Sequence, residues 1–255
     1  MTIVAFHVEL IRISNYINGY RQNMELKQLI IIPVYNQRKQ IKQNLPLLED
    51  IHGDILMIDD GSTDDTFSII QEQAWLKYIK HEQNLGIGAA IITGCEYARD
   101  LGYDVAIILN LNDSKFKAEI QELMGNINYG YDIVNSSRIL ENYDFRDIPQ
   151  EYISLTSDLS SQIRDITGFD ITDPLSGILA IRLEALKDME LTEFNHGLLL
   201  QLWIQANYFG LSIIEVPAQS GIGFGEELAL YDDPMDSFLS LMEAEKILYP
   251  KKNLN

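Results

Sequence analysis

Residues 29–62 decide the fold, and they read LIIIPVYNQRKQIKQNLPLLEDIHGDILMIDDGS. Two short apolar runs in this stretch, LIII and ILMI, are rich in β-branched isoleucine and stop at polar residues, as buried parallel β-strands do. Between them Ile41, Leu45 and Leu48 recur at helical spacing. Strand, helix and strand therefore follow one another within the length of a βαβ unit, which predicts a parallel sheet.

Polar residues follow each of the two predicted strands. After the first strand come Pro33, Tyr35 and Asn36, and after the second come Asp59, Asp60, Gly61 and Ser62. Parallel strands end at one edge of an open α/β sheet, and ligands bind in the crevice outside that edge. A pair of acids there suits the base or ribose of a nucleotide better than a phosphate. The alternative is that the two aspartates only cap and solvate a turn.

Two helix starts are predicted near the same edge. Ser62 and Asp65 have the spacing of a capping box, which predicts that a helix begins there. The turn N-L-G-I-G at residues 84–88 leads into another helix, and its glycines would let the backbone approach a ligand closely. It is not a dinucleotide-binding fingerprint, because the third glycine of G-x-G-x-x-G is replaced by Ile91. A nicotinamide-dependent dehydrogenase is therefore disfavoured.

Six motifs along the chain carry a family resemblance. They are P-V-Y-N at 33–36, M-I-D-D-G-S-T-D-D-T at 57–66, N-L-G-I-G-A-A at 84–90, I-V-N-S-S-R at 133–138, D-P-L-S-G at 173–177 and I-E-V-P at 214–217. In this order the chain resembles the family 2 glycosyltransferases, in particular the branch of dolichyl-phosphate mannosyltransferase. The resemblance implies a GT-A-like (Rossmann-like) α/β fold, with a mainly parallel sheet flanked by helices on both faces. It also implies transfer of a sugar, with inversion, from a nucleotide sugar to an acceptor such as a polyprenyl phosphate or a glycan, as in cell-wall or polysaccharide biosynthesis.

The resemblance also assigns roles to residues. It implies nucleotide binding by Pro33, Tyr35, Asn36, Asp59, Asp60, Gly61, Ser62, Asn84 and Gly86. Arg138 is the candidate that binds the diphosphate. Asp173 is the candidate catalytic residue near the reacting centre, where a carboxylate can accept a proton from a hydroxyl or help orient a metal. Before a proline, Asp173 could instead be a turn former. The cofactor implied is a divalent metal, Mg²⁺ or Mn²⁺, with Asn110, Asn112 and Asp113 as its candidate ligands.

Two departures from the family pattern bear on the diphosphate. The strand at 105–109 is followed by Asn110-Leu111-Asn112 where the family has a D-x-D motif that holds the metal. Amide oxygens lack the negative charge that makes carboxylates strong ligands of hard cations. Residues 220–227 read SGIGFGEE, where the family has a basic loop. A second hypothesis is therefore a catalytically weak or inactive homologue that binds a nucleotide sugar or a partner protein.

Composition excludes other classes of protein. The 255 residues contain 38 acidic and 19 basic side chains, and the resulting charge of −19 repels nucleic acid. A single cysteine, Cys95, cannot form an internal disulfide. We find no apolar run of the ~18 residues that would span a bilayer, and Glu9 and Arg12 interrupt the N-terminal residues where a signal peptide would be apolar. These features predict a cytoplasmic protein without a transmembrane segment.

Three parts of the chain are expected. Residues 1–26 are an N-terminal extension, predicted to be helical because Ile3, Phe6, Leu10 and Ile13 recur at helical spacing. Residues 27–220 form the glycosyltransferase family 2-like domain. Residues 221–255 form a C-terminal loop and a helix that packs on the same domain.

Overall fold

The computed structural model describes residues 26–111, 115–140, 150–218 and 234–250. The strands are β1 (Gln28–Val34), β2 (Asp54–Asp59), β3 (Lys77–Lys80), β4 (Val105–Ile108), β5 (Ile133–Ser137), β6 (Leu179–Arg182) and β7 (Ile213–Pro217). The helices are α1 (Arg38–Glu49), α2 (Thr66–Gln71), α3 (Ile87–Asp100), α4 (Phe116–Tyr129), α5 (Gln150–Thr167), α6 (Leu198–Phe209) and α7 (Pro234–Leu248). A short 3₁₀ helix, Leu183–Leu186, follows β6. The predicted extension at 1–25 and loop at 221–233 lie outside the described residues.

The strands form one sheet in the order β3-β2-β1-β4-β6-β5-β7. The predicted βαβ unit is confirmed, because β1 and β2 pair in parallel from Leu29 opposite Asp54 to Val34 opposite Asp59. Strand β6 runs antiparallel to both of its neighbours, β4 and β5, while the other pairs are parallel. The fold is therefore GT-A-like α/β, with a mainly parallel sheet, as predicted.

Alternation of side chains along the strands divides the core into two layers. In β1, Leu29 and Ile31 face one layer while Ile30 and Ile32 face the other, and all four are fully buried. Helices α3, α5, α6 and α7 cover the first layer, and α1, α2 and α4 cover the second. Both faces of the sheet are therefore covered, which is why the central strands read as continuous apolar runs rather than alternating ones.

Helix α2 does not begin where the capping box predicted. It begins at Thr66, its N-cap residue is Asp65, and the Asp65 side chain makes no capping hydrogen bond. The Ser62 hydroxyl instead accepts a hydrogen bond from the backbone N–H of Asn36, 2.9 Å away. The capping-box prediction is wrong because a contact with the neighbouring strand end takes the side chain that would have capped the helix.

The parallel strands β1, β2, β3 and β4 end at one edge of the sheet, which we call the carboxyl edge. The predicted site residues Pro33, Asp60, Asn84 and Asn110 lie at or just beyond these strand ends. Because β6 is antiparallel, the residues that precede it, including Asp173, lie at the same edge as Arg138, which follows β5. Among the described helices, none has the length and apolar composition needed to cross a membrane.

Candidate functional site

Asn36 joins the turns that follow β1 and β2. Its backbone φ is +50°, and its side-chain Oδ1 accepts hydrogen bonds from the backbone N–H groups of Thr63 (2.8 Å) and Asp64 (3.3 Å). Its own backbone N–H donates to the Ser62 hydroxyl. Asparagine tolerates this left-handed conformation, and its side chain can accept hydrogen bonds from backbone N–H groups at the same time. The residue therefore suits a turn that is bonded to the turn after β2. Tyr35 beside it keeps 43% of its surface exposed.

Asp60 is buried and engaged by three donors. Its Oδ1 accepts from the backbone N–H of Leu85 (3.0 Å) and lies 2.7 Å from His81 Nδ1, while its Oδ2 accepts from the backbone N–H of Gly86 (2.8 Å). Only 3% of the residue is exposed. The carboxylate therefore joins the turn after β2 to the start of α3.

Two predicted glycines are needed where these turns meet. A Cβ at Gly61 would lie 2.3 Å from the backbone carbon of Gln83, and a Cβ at Gly86 would lie 2.2 Å from the Phe194 carbonyl oxygen. Both residues also have positive φ, +72° and +104°. Among the described residues, both glycines approach neighbouring backbone closely, whereas the sequence predicted a close approach to a ligand for the turn that contains Gly86.

His81 belongs to the site although the sequence analysis did not single it out. Its Nδ1 contacts Asp60, and its Nε2 lies 3.1 Å from the Thr93 hydroxyl in α3. The ring therefore connects the turn after β2 with a helix on the first layer of the core. The signal available in the sequence was its position directly after β3, at the carboxyl end of a strand.

The two adjacent aspartates have different surroundings. Asp59 is fully buried, and its Oδ1 accepts from the backbone N–H of Ser62 at 3.2 Å. Among the described residues its Oδ2 has no hydrogen-bond partner, and the nearest cation is Lys80, whose Nζ lies 3.8 Å away. A buried carboxylate oxygen without a donor is costly, so Asp59 Oδ2 is a hydrogen-bond acceptor at this edge that no described donor uses.

Arg138 and Asp173, which were predicted to have separate roles, form one buried ion pair. Arg138 Nε lies 2.7 Å from Asp173 Oδ2 and its Nη2 lies 3.1 Å from Oδ1, so the contact is bidentate. The Arg138 backbone N–H and the Tyr152 hydroxyl also donate to this carboxylate, at 3.0 and 2.6 Å. Asp173 is fully buried and Arg138 is 6% exposed. Four donors therefore engage the two oxygens of this buried carboxylate, and two of the four belong to the Arg138 guanidinium.

Glu215 supports the loop that carries Asp173. Its Oε1 accepts from Asn135 Nδ2 (2.8 Å) and from the backbone N–H of Asp173 (3.2 Å), and its Oε2 accepts from the backbone N–H and hydroxyl of Thr172 (2.7 and 2.8 Å). Burial raises the pKa of the Glu215 carboxyl above its usual value, and these hydrogen bonds oppose that rise only in part. The motifs at 133–138, 173–177 and 214–217 thus meet in one polar network.

The candidate metal ligands are only partly within the described residues. Asn110 follows β4 at the carboxyl edge and is half-buried, whereas Asn112 and Asp113 lie outside the described residues. Within the described ranges no three His, Cys, Asp or Glu side chains are grouped as a metal site. A single amide oxygen does not make a site for a hard divalent cation, so the described side chains do not fit a resident metal.

Comparison with known sequences gives one family. Residues 29–189 match the family model described as Glycosyl transferase family 2. The chain is 32% identical over 176 residues to UDP-N-acetylglucosamine–dolichyl-phosphate N-acetylglucosaminyltransferase of Methanococcus voltae, covering 62% of this chain and 70% of that protein. It is 29% identical over 208 residues to polyprenol monophosphomannose synthase of Mycolicibacterium smegmatis, covering 75% and 76%.

Two further comparisons concern length and fold. Dolichol-phosphate mannosyltransferase of Pyrococcus furiosus is 27% identical over 206 residues, which cover 77% of this chain and 57% of that protein. Among solved structures, mannosyl-3-phosphoglycerate synthase from Rubrobacter xylanophilus superposes with a TM-score of 0.64 at 15% identity, covering 91% of this chain and 77% of the other. The structural likeness concerns the fold alone.

Proposed function

Because the chain belongs to glycosyl transferase family 2, we propose that it transfers a sugar, with inversion, from a nucleotide-sugar donor to a polyprenyl-phosphate acceptor. The observation that carries this proposal is the family match over residues 29–189, which includes the carboxyl ends of β1, β2, β3, β4 and β5. We assign the transferase to residues 27–220, with residues 221–255 packed against it through α7.

The nucleotide is proposed to bind at the turns after β1, β2 and β3. The half-exposed ring of Tyr35 offers a face on which a base can stack. Asp59 supplies a buried carboxylate oxygen that can accept a hydrogen bond from the base or ribose. Asn36 and Asp60 hold the turns that present these groups. Pro33, Gly61, Ser62, Asn84 and Gly86 are proposed to shape the same turns.

The hydrogen bonds that Asp173 accepts favour a phosphate as the acceptor of the sugar. A hydroxyl acceptor needs a base to remove its proton, and Asp173 has four donors on its two oxygens. A polyprenyl phosphate is ionised at neutral pH, because its second pKa is about 6, and it can attack the sugar without a base. We therefore propose that Asp173 holds the Arg138 guanidinium near the reacting phosphates. General-base catalysis by Asp173 is expected only if the acceptor is a hydroxyl.

The names of the relatives support the same class of acceptor. The curated proteins from Methanococcus voltae, Mycolicibacterium smegmatis and Pyrococcus furiosus are named for dolichyl phosphate, polyprenol and dolichol phosphate. If a divalent metal takes part, we propose that Asn110, Asn112 and Asp113 contact it and that the donor's diphosphate provides most of its negative ligands.

Transfer can be measured directly with purified protein. UDP-N-acetylglucosamine and GDP-mannose are supplied with undecaprenyl phosphate in detergent, or with undecaprenol as the control acceptor that lacks the phosphate. We expect a lipid-linked sugar phosphate to form with one of the donors and only with the phosphate. Equal transfer to undecaprenol would contradict the phosphate assignment. Nucleotide binding without any transfer would favour the binding-only homologue.

A substitution at Asp60 tests the donor site. The change Asp60→Asn removes the charge that holds the Leu85 and Gly86 N–H groups. A charge-assisted hydrogen bond is worth about 1.5–3 kcal/mol, so its loss loosens the turn that presents the nucleotide-binding groups, and we expect nucleotide affinity to fall about ten- to a hundredfold. Asp65→Asn is the matched control, because Asp65 lies in the same turn with its side chain 67% exposed in a pair with Arg38. Titration calorimetry of both variants decides the assignment, and an unchanged Kd in Asp60→Asn would refute it.

A further inference from the structure

A buried carboxylate on α7 lies outside the site described above. Glu245 is 5% exposed, and its Oε1 and Oε2 accept hydrogen bonds from the side-chain amides of Gln201 (2.7 Å) and Gln205 (3.0 Å) in α6. Its neighbours Glu243 and Lys246 form an exposed pair with each other. Within the described residues, Glu245 is held by amides and takes part in no ion pair with a cation.

The same two glutamines also form hydrogen bonds with residues 190–195, which we call the bridging segment. Gln201 Oε1 accepts from the backbone N–H groups of Thr192 (3.0 Å) and Glu193 (2.8 Å). Gln205 Oε1 accepts from the backbone N–H of Glu190 (2.9 Å), and its Nε2 donates to the Glu190 carbonyl (2.9 Å). Each amide therefore bonds the bridging segment on one side and Glu245 on the other. A fully satisfied buried network of this kind fixes the orientation of its members.

The bridging segment touches the turn that Asp60 holds. The backbone N–H of Ala89 donates to the Phe194 carbonyl at 3.1 Å. A Cβ on Gly86 or on Gly88 would lie 2.2 Å from the Phe194 oxygen or 2.5 Å from the Glu193 oxygen, so the two backbones are in direct contact. Any shift of the bridging segment must therefore move residues 86–89. The backbone N–H of Gly86, at the start of this range, is the donor to Asp60 Oδ2.

We infer that Glu245 is a positioning residue for the donor site, acting through Gln201, Gln205 and the bridging segment on the turn at residues 86–89. The inference rests on the proposed function, which places the nucleotide at this turn. Attachment of α7 to the rest of the domain does not explain why a carboxylate is buried at this position. Burying a charge without a cation is unfavourable, and α7 already packs through the apolar Phe238 and Met242. Glu245 orients the side-chain amides of Gln201 and Gln205, and the same amides bond the bridging segment.

Glu245→Gln tests this role, with Glu243→Gln as the matched control on the same helix. Glutamine keeps the size of the side chain but offers one acceptor atom where the network uses two. We expect KM for the active nucleotide sugar to rise at least about fivefold while kcat at saturating donor stays within twofold of the wild type. The control is expected to match the wild type in both constants. A lower melting temperature with unchanged KM would show that Glu245 is only structural.

Amide hydrogen exchange gives a readout that does not need activity. In Glu245→Gln the Ala89 amide should exchange at least tenfold faster, while the Leu101 amide, which bonds Tyr97 at the other end of α3, should keep its wild-type rate. Equal protection of Ala89 in both proteins would overturn the inference. If Glu245→Gln does not fold, Gln201→Met, which breaks the same connection, is measured in its place with the same expected results. If the wild type binds neither UDP-N-acetylglucosamine nor GDP-mannose, the proposed function fails, and Ala89 exchange alone decides the role of Glu245.

Discussion

At the scale of single residues, the carboxylates of the site differ in what surrounds them. Asp60 and Asp173 have their oxygens occupied by protein donors, whereas Asp59 has a buried Oδ2 without a donor among the described residues. A carboxylate whose partners all come from the protein organises the site, and one with an oxygen left over can bind a ligand. In the sequence these three residues are all aspartate, and nothing in the letters distinguishes their surroundings.

The ion pair of Arg138 and Asp173 yields a stability prediction. Removing one partner leaves the other charge buried and uncompensated, so Asp173→Asn should lower the free energy of unfolding by about 3–5 kcal/mol. Asp170→Asn is the control, because the Asp170 pair with Arg164 is exposed and such pairs are worth about 0–1 kcal/mol. Urea denaturation followed by circular dichroism measures both. A change below about 1 kcal/mol in Asp173→Asn would mean that the pair is not maintained in solution.

Glu215 predicts a pH dependence of stability. Because burial raises the pKa of its carboxyl, the folded protein binds this proton more tightly than the unfolded chain does. The contribution to stability is fully present below the ordinary value and is lost as pH rises through the folded pKa. We expect the free energy of unfolding of the wild type relative to Glu215→Gln to decrease between about pH 4 and pH 8. Urea titrations of both proteins across this range test it, and a difference that grows with pH would contradict the sign.

At the scale of elements, the carboxyl edge is built by turns that touch one another. The turn after β2 meets the turn after β3 at Gly61, and the start of α3 meets the bridging segment at Gly86. These contacts are backbone to backbone, so they allow no adjustment by side-chain rotation. The element that binds the nucleotide in our proposal is therefore a set of interlocked turns rather than one flexible loop.

A comparison of Gly86 with Gly102 distinguishes the cost of a steric clash from the cost of a strained backbone conformation. Both have positive φ, +104° and +69°, so an alanine strains the backbone at either position. A Cβ at Gly102 would meet nothing within 4 Å, whereas at Gly86 it would collide with the Phe194 carbonyl. Gly102→Ala should cost about 1–2 kcal/mol, and Gly86→Ala should cost more and also weaken nucleotide binding. Thermal denaturation and calorimetry compare them; equal costs with intact binding would show that the contact at Gly86 relaxes easily.

At the scale of the whole molecule, the chain carries a net charge of −19 but has asparagines, not carboxylates, at the two positions after β4 where the family holds its metal. With Asn110 and Asn112 in place of acids, Mn²⁺ should bind weakly to the protein alone. If the diphosphate supplies the missing ligands, nucleotide and metal must each tighten the other by the same factor. We expect calorimetry to show Mn²⁺ affinity rising at least tenfold when UDP or GDP is present. Equal Mn²⁺ affinity with and without nucleotide would exclude this coupling.

Restoring the family's acids provides the matching experiment. The double change Asn110→Asp with Asn112→Asp should raise Mn²⁺ affinity in the absence of nucleotide, because carboxylates bind hard cations more strongly than amides do. Full transferase activity of the wild type in excess EDTA would show instead that the asparagines do not weaken the chemistry.

Much of the fold could be predicted from the sequence because the relevant signals are local. The βαβ unit at residues 29–59 follows from two runs of apolar residues and from the helical spacing between them. The family and the reaction class follow from six motifs in order. The antiparallel direction of β6 could not be read in this way, because strand direction depends on where the chain returns to the sheet.

By itself, the sequence determined which residues reach the carboxyl edge, because strand ends are set by local patterns. Only the tertiary structure decided what they do there. Pairing depends on distances between residues far apart in the chain, such as Arg138 with Asp173, or His81 with Asp60. The capping box failed for the same reason, since Ser62 had a nearer partner in Asn36. A hydrogen bond is formed with the group that lies within about 3 Å in the folded chain, and no spacing along the sequence reveals which group that is.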